Sequence, residues 1–269
     1  MSELQSIVLG LVQGLSEFLP ISSSGHLILV PLVTGWADQG LTFDVAVHIG
    51  SLGAVLLYFR RDLFDMLKGI GDWRQGGLLD HPGRHMMALI VVGTLPIVVG
   101  GLTIKAIGTE GLRNAWVVGT TSIVFGSALY FADRLGARER GIPQMGFRDA
   151  LIIGCAQILA LIPGTSRSGV TMTAARLLGL RRAEAARFSF LLSIPAILAA
   201  GLLIIIEVIG GGESLAPSTT LLGLLAAFLS AWAAIAFLMN WLRRESFTPF
   251  VIYRLLLGAA LLTYAAMSS

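Results

Sequence analysis

The sequence contains little charge and a single cysteine. Asp, Glu, Lys and Arg make up 13% of its 269 residues, whereas 55% of the residues are hydrophobic; a soluble domain carries about twice that charged fraction. Because Cys155 is the only cysteine, an intrachain disulfide is excluded and the redox compartment stays undetermined. No basic stretch precedes the first apolar run, which holds Glu3, so we expect no cleavable signal peptide. The composition predicts an all-α polytopic membrane protein, and the net charge of +3 fits basic loops beside a membrane better than a nucleic-acid partner.

Long apolar runs and two broken ones divide the chain. Six segments approach the roughly 20 residues that a helix needs to cross a bilayer: 43–59, 86–107, 115–131, 188–209, 220–241 and 250–267. Segment 4–18 would form a helix of about 22 Å, shorter than a hydrocarbon core of about 30 Å. It stops at "PISSSGH" (20–26, the first tip), and segment 147–162 stops at "PGTSRSG" (163–169, the second tip). We therefore predict two re-entrant helical hairpins, 4–35 and 147–180, whose tips lie inside the protein or along a water-filled cavity.

The two hairpin regions resemble each other. Each has a Gly-x-x-Gln and a Pro-x-x-Ser, which pair Gly10 and Gln13 with Gly154 and Gln157, and Pro20 and Ser23 with Pro163 and Ser166. Each hairpin precedes three spans, so we predict a single membrane domain (1–269) built from two repeats, about 1–131 and about 147–269. Breaks at matching positions of a weak repeat indicate a binding site near the bilayer midplane.

Basic residues concentrate in some loops and are scarce in others. The basic loops hold Arg60, Arg61, Lys68, Arg74, Arg84, Arg134, Arg138, Arg140, Arg148, Arg181, Arg182, Arg187, Arg243 and Arg244. Segments 108–114 and 210–219 together hold only Arg113. The positive-inside rule predicts that the first group is cytoplasmic and that both termini are external. The hairpins then enter from opposite sides, so the repeats are inverted and the tips can meet within the bilayer. Arg254, one turn into the last span, is expected to extend to cytoplasmic headgroups.

The second tip combines features that favour an anion. Arg167 offers a guanidinium fork, Ser166 and Ser168 offer hydroxyls, and Gly169 lets backbone amides approach a ligand. A helix is expected to begin here with its positive dipole end at the tip, and Thr171 in its first turn is a further candidate ligand. The alternative is that the serines cap the helix and a carboxylate neutralises Arg167. Charge within a membrane is costly and usually functional, which favours the anion site.

The first tip repeats the hydroxyls and adds acid–base groups. Its polar side chains are Ser22, Ser23, Ser24 and His26. Just before it, Gln13 and Glu17 are four residues apart and share one helix face. A glutamate, a histidine and hydroxyls that face an arginine form an acid–base and nucleophile set, and Glu17 could also hold a divalent cation that bridges phosphate oxygens. Two alternatives stay open: a simple ion pair of Glu17 with Arg167, and a His26 bonded only to backbone.

Both tips with their flanks carry a family resemblance. "QGLSEFLPISSSGH" and "PGTSRSGVT" closely resemble the two signature motifs of the undecaprenyl-diphosphate phosphatase family of the bacitracin-resistance type, and "FSFLLSIP" and "SFTPFVIYR" extend the likeness over nearly the whole chain. The resemblance implies hydrolysis of C55 isoprenyl diphosphate to the monophosphate and inorganic phosphate, with a site that opens to the outer side of the bacterial plasma (inner) membrane. This reaction recycles the carrier lipid of cell-wall synthesis and gives bacitracin resistance. The resemblance further implies a divalent cation, Mg²⁺ or Ca²⁺, and a site formed by Glu17, Ser23, His26, Ser166, Arg167 and Thr171.

Roles within this site follow from the resemblance and the chemistry together. The residues expected to be catalytic are Glu17, Ser23, His26 and Arg167. The residues expected to bind substrate are Gln13, Ser22, Ser24, Ser166, Ser168, Gly169 and Thr171. Gln13 stands where many members of the family have glutamate, and its amide binds a cation less strongly than a carboxylate would. The expected partners are a polyprenyl diphosphate and membrane lipids, with a homodimer as an open alternative.

Three questions stay open at the level of sequence. Ser23 is favoured over His26 or water as the attacking group because it has the place in its tip that Ser166 has in the other. Asp44 and His48 lie four apart in the first span, and they could either support the site or form an interfacial face. An inverted-repeat transporter or polyprenyl-phosphate flippase is the competing function, although anion binding alone would not require the glutamate, histidine and serine of the first tip.

Overall fold

Helices form the regular structure of the protein in the computed structural model, which describes residues 1–71, 77, 81–107, 110–209 and 217–268. The α-helices are α1 (Glu3–Phe18), α2 (Ser23–Thr34), α3 (Gly40–Tyr58), α4 (Arg60–Gly71), α5 (Pro82–Ile107), α6 (Ala115–Leu135), α7 (Phe147–Ile158), α8 (Arg167–Leu177), α9 (Arg182–Ile209), α10 (Pro217–Trp241) and α11 (Thr248–Ser268). Over the described ranges, the β-structure is limited to one isolated bridge between Arg140 and Leu180. Arg74 and parts of the predicted loops 60–85, 108–114 and 210–219 lie outside the described residues, and the orientation in the membrane stays a prediction.

Among the residues that the structure describes, five helices are each long and apolar enough to cross a membrane: α5, α6, α9, α10 and α11. The all-α polytopic class is therefore confirmed. The predicted span 43–59 differs from these five helices. By length and hydropathy, α3 qualifies as a span only together with α4, and the two helices are bent by 73° at Phe59. The cause is the charge of α4, since Arg60, Arg61 and Asp62 follow the apolar run directly and favour a helix that turns out of the hydrocarbon region.

The helices α1 and α2, and likewise α7 and α8, are separated by short irregular tips. Each second helix begins after a serine at positive φ, Ser22 at 75° and Ser166 at 71°. Each of these hydroxyls accepts a hydrogen bond from the amide three residues on, Gly25 in the first tip and Gly169 in the second. A non-glycine residue in this region of φ is strained by about 1–3 kcal/mol, so tertiary contacts must hold both tips in place.

The two tips have the same cap geometry, and this geometry corrects the alignment of the tips with each other that the Pro-x-x-Ser match suggested. Ser22 lies two residues after its proline and Ser166 lies three after its own, because the second tip holds one residue more between proline and cap. Ser166 therefore corresponds to Ser22, and Ser23 corresponds to Arg167. The symmetry argument that equated Ser23 with Ser166 is wrong, and the role of Ser23 must rest on its own contacts.

The hairpins pack against spans from the opposite half of the sequence. α1 packs against α10 and α7 packs against α5. At both contacts two glycines bring the backbones together: a Cβ at Gly10 would collide with the Gly223 carbonyl, and one at Gly154 with the Gly93 carbonyl. The two contacts correspond to each other in an inverted repeat that pairs α1 with α7 and α10 with α5, whereas the division into halves at about residues 131 and 147 stays a prediction.

Arg254 departs from its expected position at the headgroups. Its side chain is fully buried, and its guanidinium donates hydrogen bonds to main-chain carbonyls of both tips and of α6. Space for it exists because α6 has a glycine opposite, Gly126, where an added Cβ would lie 3.2 Å from the Arg254 Cβ. The expectation that Arg254 extends to cytoplasmic headgroups is wrong.

Candidate active site

A cavity of about 320 Å³ lies between the two tips. One part of its lining is polar and consists of Glu17, Ser22, Ser23, Ser24, Asp44, His48, Ser166 and Arg167. The other part is apolar and consists of Val45, Ile49, Ile97, Ala160, Leu161, Ala196, Ile197, Ala200 and Gly201. The cavity can thus accept a ligand with a charged head and a hydrocarbon tail.

Glu17 links the two tips at the polar end. It lies in the last turn of α1, and its side chain is 4% exposed. The carboxylate accepts hydrogen bonds from the Ser23 hydroxyl at 2.6 Å and from the Gln13 amide at 2.9 Å, and it forms an ion pair with Arg167. Because three donors converge on this carboxylate, its charge is compensated although it is buried.

Arg167 reaches the cavity from the first residue of α8. One guanidinium nitrogen pairs with Glu17 and another donates to the Ser193 carbonyl at 3.0 Å. The ion pair between Glu17 and Arg167 is therefore present, as the open alternative allowed. It does not remove Arg167 from the site, since the side chain is 18% exposed and lines the cavity.

His48 joins the site from α3. Its Nε2 lies 3.5 Å from the Glu17 carboxylate, and its Nδ1 lies 2.6 Å from the Asp44 carbonyl oxygen, which fits an Nδ1–H donor. Both His48 and Asp44 line the cavity, so the structure favours the support of the site over an interfacial face. The sequence shows a histidine and an aspartate four residues apart at the start of a span. This spacing alone does not determine whether the two side chains face the site or the membrane interface.

His26 is not among the residues that line the cavity. Its Nδ1 lies 2.7 Å from the Ser22 carbonyl oxygen and its Nε2 lies 2.5 Å from the Tyr253 hydroxyl. The two rings are stacked, with centroids 5.6 Å apart and planes inclined by 10°. The structure therefore brings Ser23 together with Glu17, while His26 holds the backbone of the first tip against α11.

Some of the remaining residues predicted to bind substrate line the cavity, and others lie behind its lining. Ser22, Ser24 and Ser166 line the cavity. Behind it, the Ser168 hydroxyl donates to the Leu19 carbonyl at 3.1 Å, which ties the second tip to the end of α1, one residue before the first tip. The Thr171 hydroxyl lies 2.6 Å from the Ser189 hydroxyl and is buried against α9.

Two further residues that were predicted to bind substrate, Gly169 and Gln13, form hydrogen bonds to other residues of the protein. The amide of Gly169 donates to Ser166 and thereby fixes the start of α8. Gln13 is fully buried, donates to Glu17, and has a side-chain oxygen without a hydrogen-bond partner. Neither lines the cavity, and the roles of both in substrate binding stay predictions.

Fold and site together define a polytopic membrane protein in which two hairpin tips enclose a cavity with one polar and one apolar end. The family model described as Bacitracin resistance protein BacA matches residues 6–260, and the chain belongs to this family. The undecaprenyl-diphosphatase of Chromohalobacter salexigens is 50% identical over 99% of this chain and 100% of that protein. The undecaprenyl-diphosphatases of Hahella chejuensis and Ruegeria pomeroyi are 51% and 47% identical, each over 98% of this chain and over 98% and 99% of their own lengths. The family expected from the motifs is confirmed.

Proposed function

We propose that this protein is a membrane-embedded phosphatase that hydrolyses undecaprenyl diphosphate to undecaprenyl phosphate and inorganic phosphate. The observation that carries the proposal is one cavity in which the Ser23 hydroxyl, the Glu17 carboxylate and the Arg167 guanidinium meet beside an apolar surface. The names of full-length relatives from several bacteria support the activity. Recycling of the cell-wall carrier lipid, bacitracin resistance and a site that opens to the outside of the inner membrane are part of the same proposal.

The two ends of the cavity suit the two parts of this substrate. Arg167 presents a planar fork that matches phosphate oxygens, and the amides at the start of α8 add a positive dipole. The apolar end is walled in part by small side chains of α9, Ala196 and Ala200, which leave room for the part of a prenyl chain next to the diphosphate. A polar head is thereby held within protein while the hydrocarbon remains in an apolar environment.

The contacts of Ser23 suggest the chemical step. Its hydroxyl donates to Glu17 at 2.6 Å, so the carboxylate can accept the proton as the oxygen attacks the terminal phosphorus. The new Ser23 O–P bond replaces the bond to the bridging oxygen, and undecaprenyl phosphate leaves. Undecaprenyl phosphate carries away the proton that Glu17 accepted, which restores the carboxylate. Water then attacks the phosphoserine, Glu17 passes one proton of this water to the Ser23 oxygen as the Ser23 O–P bond breaks, and inorganic phosphate leaves. Arg167 stabilises the charge on the transferred phosphoryl group.

A divalent cation fits this site only in combination with substrate. Among the described residues no group of three or more His, Cys, Asp or Glu side chains could hold a metal ion. Mg²⁺ commonly binds one or two carboxylates plus substrate phosphates, and Glu17 in the cavity would be that carboxylate, with the unpartnered oxygen of Gln13 behind it. Mg²⁺ or Ca²⁺ bound in this way would neutralise part of the charge of the diphosphate.

Phosphate release tests the proposal against the transporter and flippase alternatives. Purified full-length protein in detergent should release one phosphate per undecaprenyl diphosphate, whereas a transporter or flippase would release none. Glu17→Gln is the matched variant, because it keeps the shape of the side chain and removes the charge that accepts the proton. Release by this variant at the wild-type rate would contradict the role of the carboxylate.

A further inference from the structure

Arg254 binds four main-chain carbonyls around the tips. One terminal nitrogen donates to Gly164 at 2.8 Å, to Thr165 at 2.9 Å and to Thr121 of α6 at 3.3 Å. The other donates to Pro20 of the first tip at 3.4 Å. A single side chain on α11 therefore connects both tips to each other and to α6.

The charge of Arg254 has no carboxylate partner among the residues that the structure describes. Arg176, the other fully buried arginine within these residues, is paired with Asp133 at 3.2 Å. An unpaired buried charge is costly, and charges at membrane depth are usually functional. The carbonyls of the tips are the groups that compensate Arg254, which indicates that its position and the shape of the tips depend on each other.

The bonded carbonyls lie just before the strained caps. Gly164 and Thr165 precede Ser166, and Pro20 lies two residues before Ser22. The hydrogen bonds hold these carbonyls toward α11 and thereby fix the backbone just before each cap. Ser23 and Arg167, which follow the caps, extend from this fixed backbone toward the cavity. Gly164, at φ 84°, contributes to the same close packing, since a Cβ there would collide with the Thr121 hydroxyl.

We propose that Arg254 is a positioning residue that locks the two tips in the arrangement in which Ser23 and Arg167 act on one phosphoryl group. The inference rests on the proposed phosphatase function and adds a residue that does not touch the substrate. It acts through the guanidinium fork, which bonds several carbonyls at once, and a lysine ammonium at the same place cannot reproduce that geometry.

Steady-state kinetics of Arg254→Met and Arg254→Lys test this role in the purified full-length protein. We expect kcat to fall about a hundredfold in the methionine variant, because a displacement of the reacting groups by about 1 Å can cost about that much, with KM changed by less than about threefold. The lysine variant keeps the charge and should remain at or below about a tenth of the wild-type kcat. A lysine variant with wild-type kcat would show that charge alone suffices, and a loss confined to KM would show a binding role; either result overturns the proposal.

Arg176→Lys is the matched control, because this arginine is equally buried but binds Asp133 and the carbonyls of Gly136 and Ala137 rather than the tips. We expect a lower unfolding temperature and an unchanged kcat per folded molecule. If Arg254→Met does not fold, the lysine variant decides by the same criteria. Absence of hydrolysis by the wild type would refute the proposed function itself, whereas an active wild type with a methionine variant within about threefold of its kcat would refute only the positioning role.

Discussion

Replacing Ser23 by alanine removes one oxygen atom from the centre of the proposed site. The hydroxyl donates to Glu17 at 2.6 Å and is the group that would form the bond to phosphorus. Glu17 keeps Gln13 and Arg167 as partners, so its buried charge stays compensated. Loss of one hydrogen bond to a charged group costs about 1.5–3 kcal/mol of stability, which should leave the protein folded.

The effect on turnover should be far larger. Removal of a donor that only stabilises charge costs about a hundred- to a thousandfold in kcat, and removal of a serine nucleophile costs about a millionfold in a serine protease. We therefore expect Ser23→Ala to lower kcat by at least about a thousandfold, or about 4 kcal/mol of barrier. Phosphate release from undecaprenyl diphosphate, measured per folded molecule, is the assay.

Ser51→Ala is the matched control for this prediction. Ser51 is a fully buried serine of α3, and within the described part of the chain its hydroxyl donates to the Val47 carbonyl of its own helix. The same loss of one hydroxyl there should leave kcat at the wild-type value. If Ser23→Ala keeps more than about a tenth of the wild-type kcat, a loss under ~1.4 kcal/mol, attack by Ser23 is wrong.

Three further predictions concern the guanidinium of Arg167, the divalent cation and the orientation in the membrane. Arg167→Lys should lose at least about tenfold in kcat/KM, because an ammonium cannot bind Glu17, the Ser193 carbonyl and phosphate at once as the planar guanidinium does. A lysine variant with the wild-type kcat/KM would show that the guanidinium geometry plays no part in the reaction. A chelator should lower phosphate release, and Mg²⁺ or Ca²⁺ should restore it; release that is insensitive to chelator would exclude a metal at Glu17. In a Cys155→Ser background, Ala37→Cys should react with an impermeant thiol reagent from outside the cell and Glu139→Cys should not, and the reverse pattern would show that the loop-charge argument is wrong.

The elements that local sequence determines were predictable, and the contacts between distant elements were not. The tips follow from prolines, glycines and serines that interrupt apolar runs, and Glu17 and Arg167 follow from their motifs. The sequence could not reveal that His26 bonds Tyr253, 227 residues away, instead of facing Ser23. Nor could it reveal that Arg254 is buried, because the room for it depends on Gly126 of another helix.

The bend after α3 was missed for a different reason. A continuous apolar run predicts a membrane span, but it does not reveal that the chain bends sharply where the run ends and continues as a second helix. The charges of Arg60 and Arg61 were attributed to a loop, whereas they begin α4. The register of the two tips was misread in a similar way, since a matching proline and serine do not define which serine caps the helix.

The phosphoenzyme tests the central claim most directly. Substrate labelled at the terminal phosphate is mixed with wild-type protein and quenched rapidly, one sample in acid and a parallel sample in alkali, which preserves phosphohistidine, and the labelled peptide is identified. Attack by Ser23 predicts an acid-stable phosphoserine at Ser23, which should be absent from Ser23→Ala. An acid-labile phosphohistidine, or turnover without any covalent label on the protein, would contradict the account and transfer the attack to a histidine or to water.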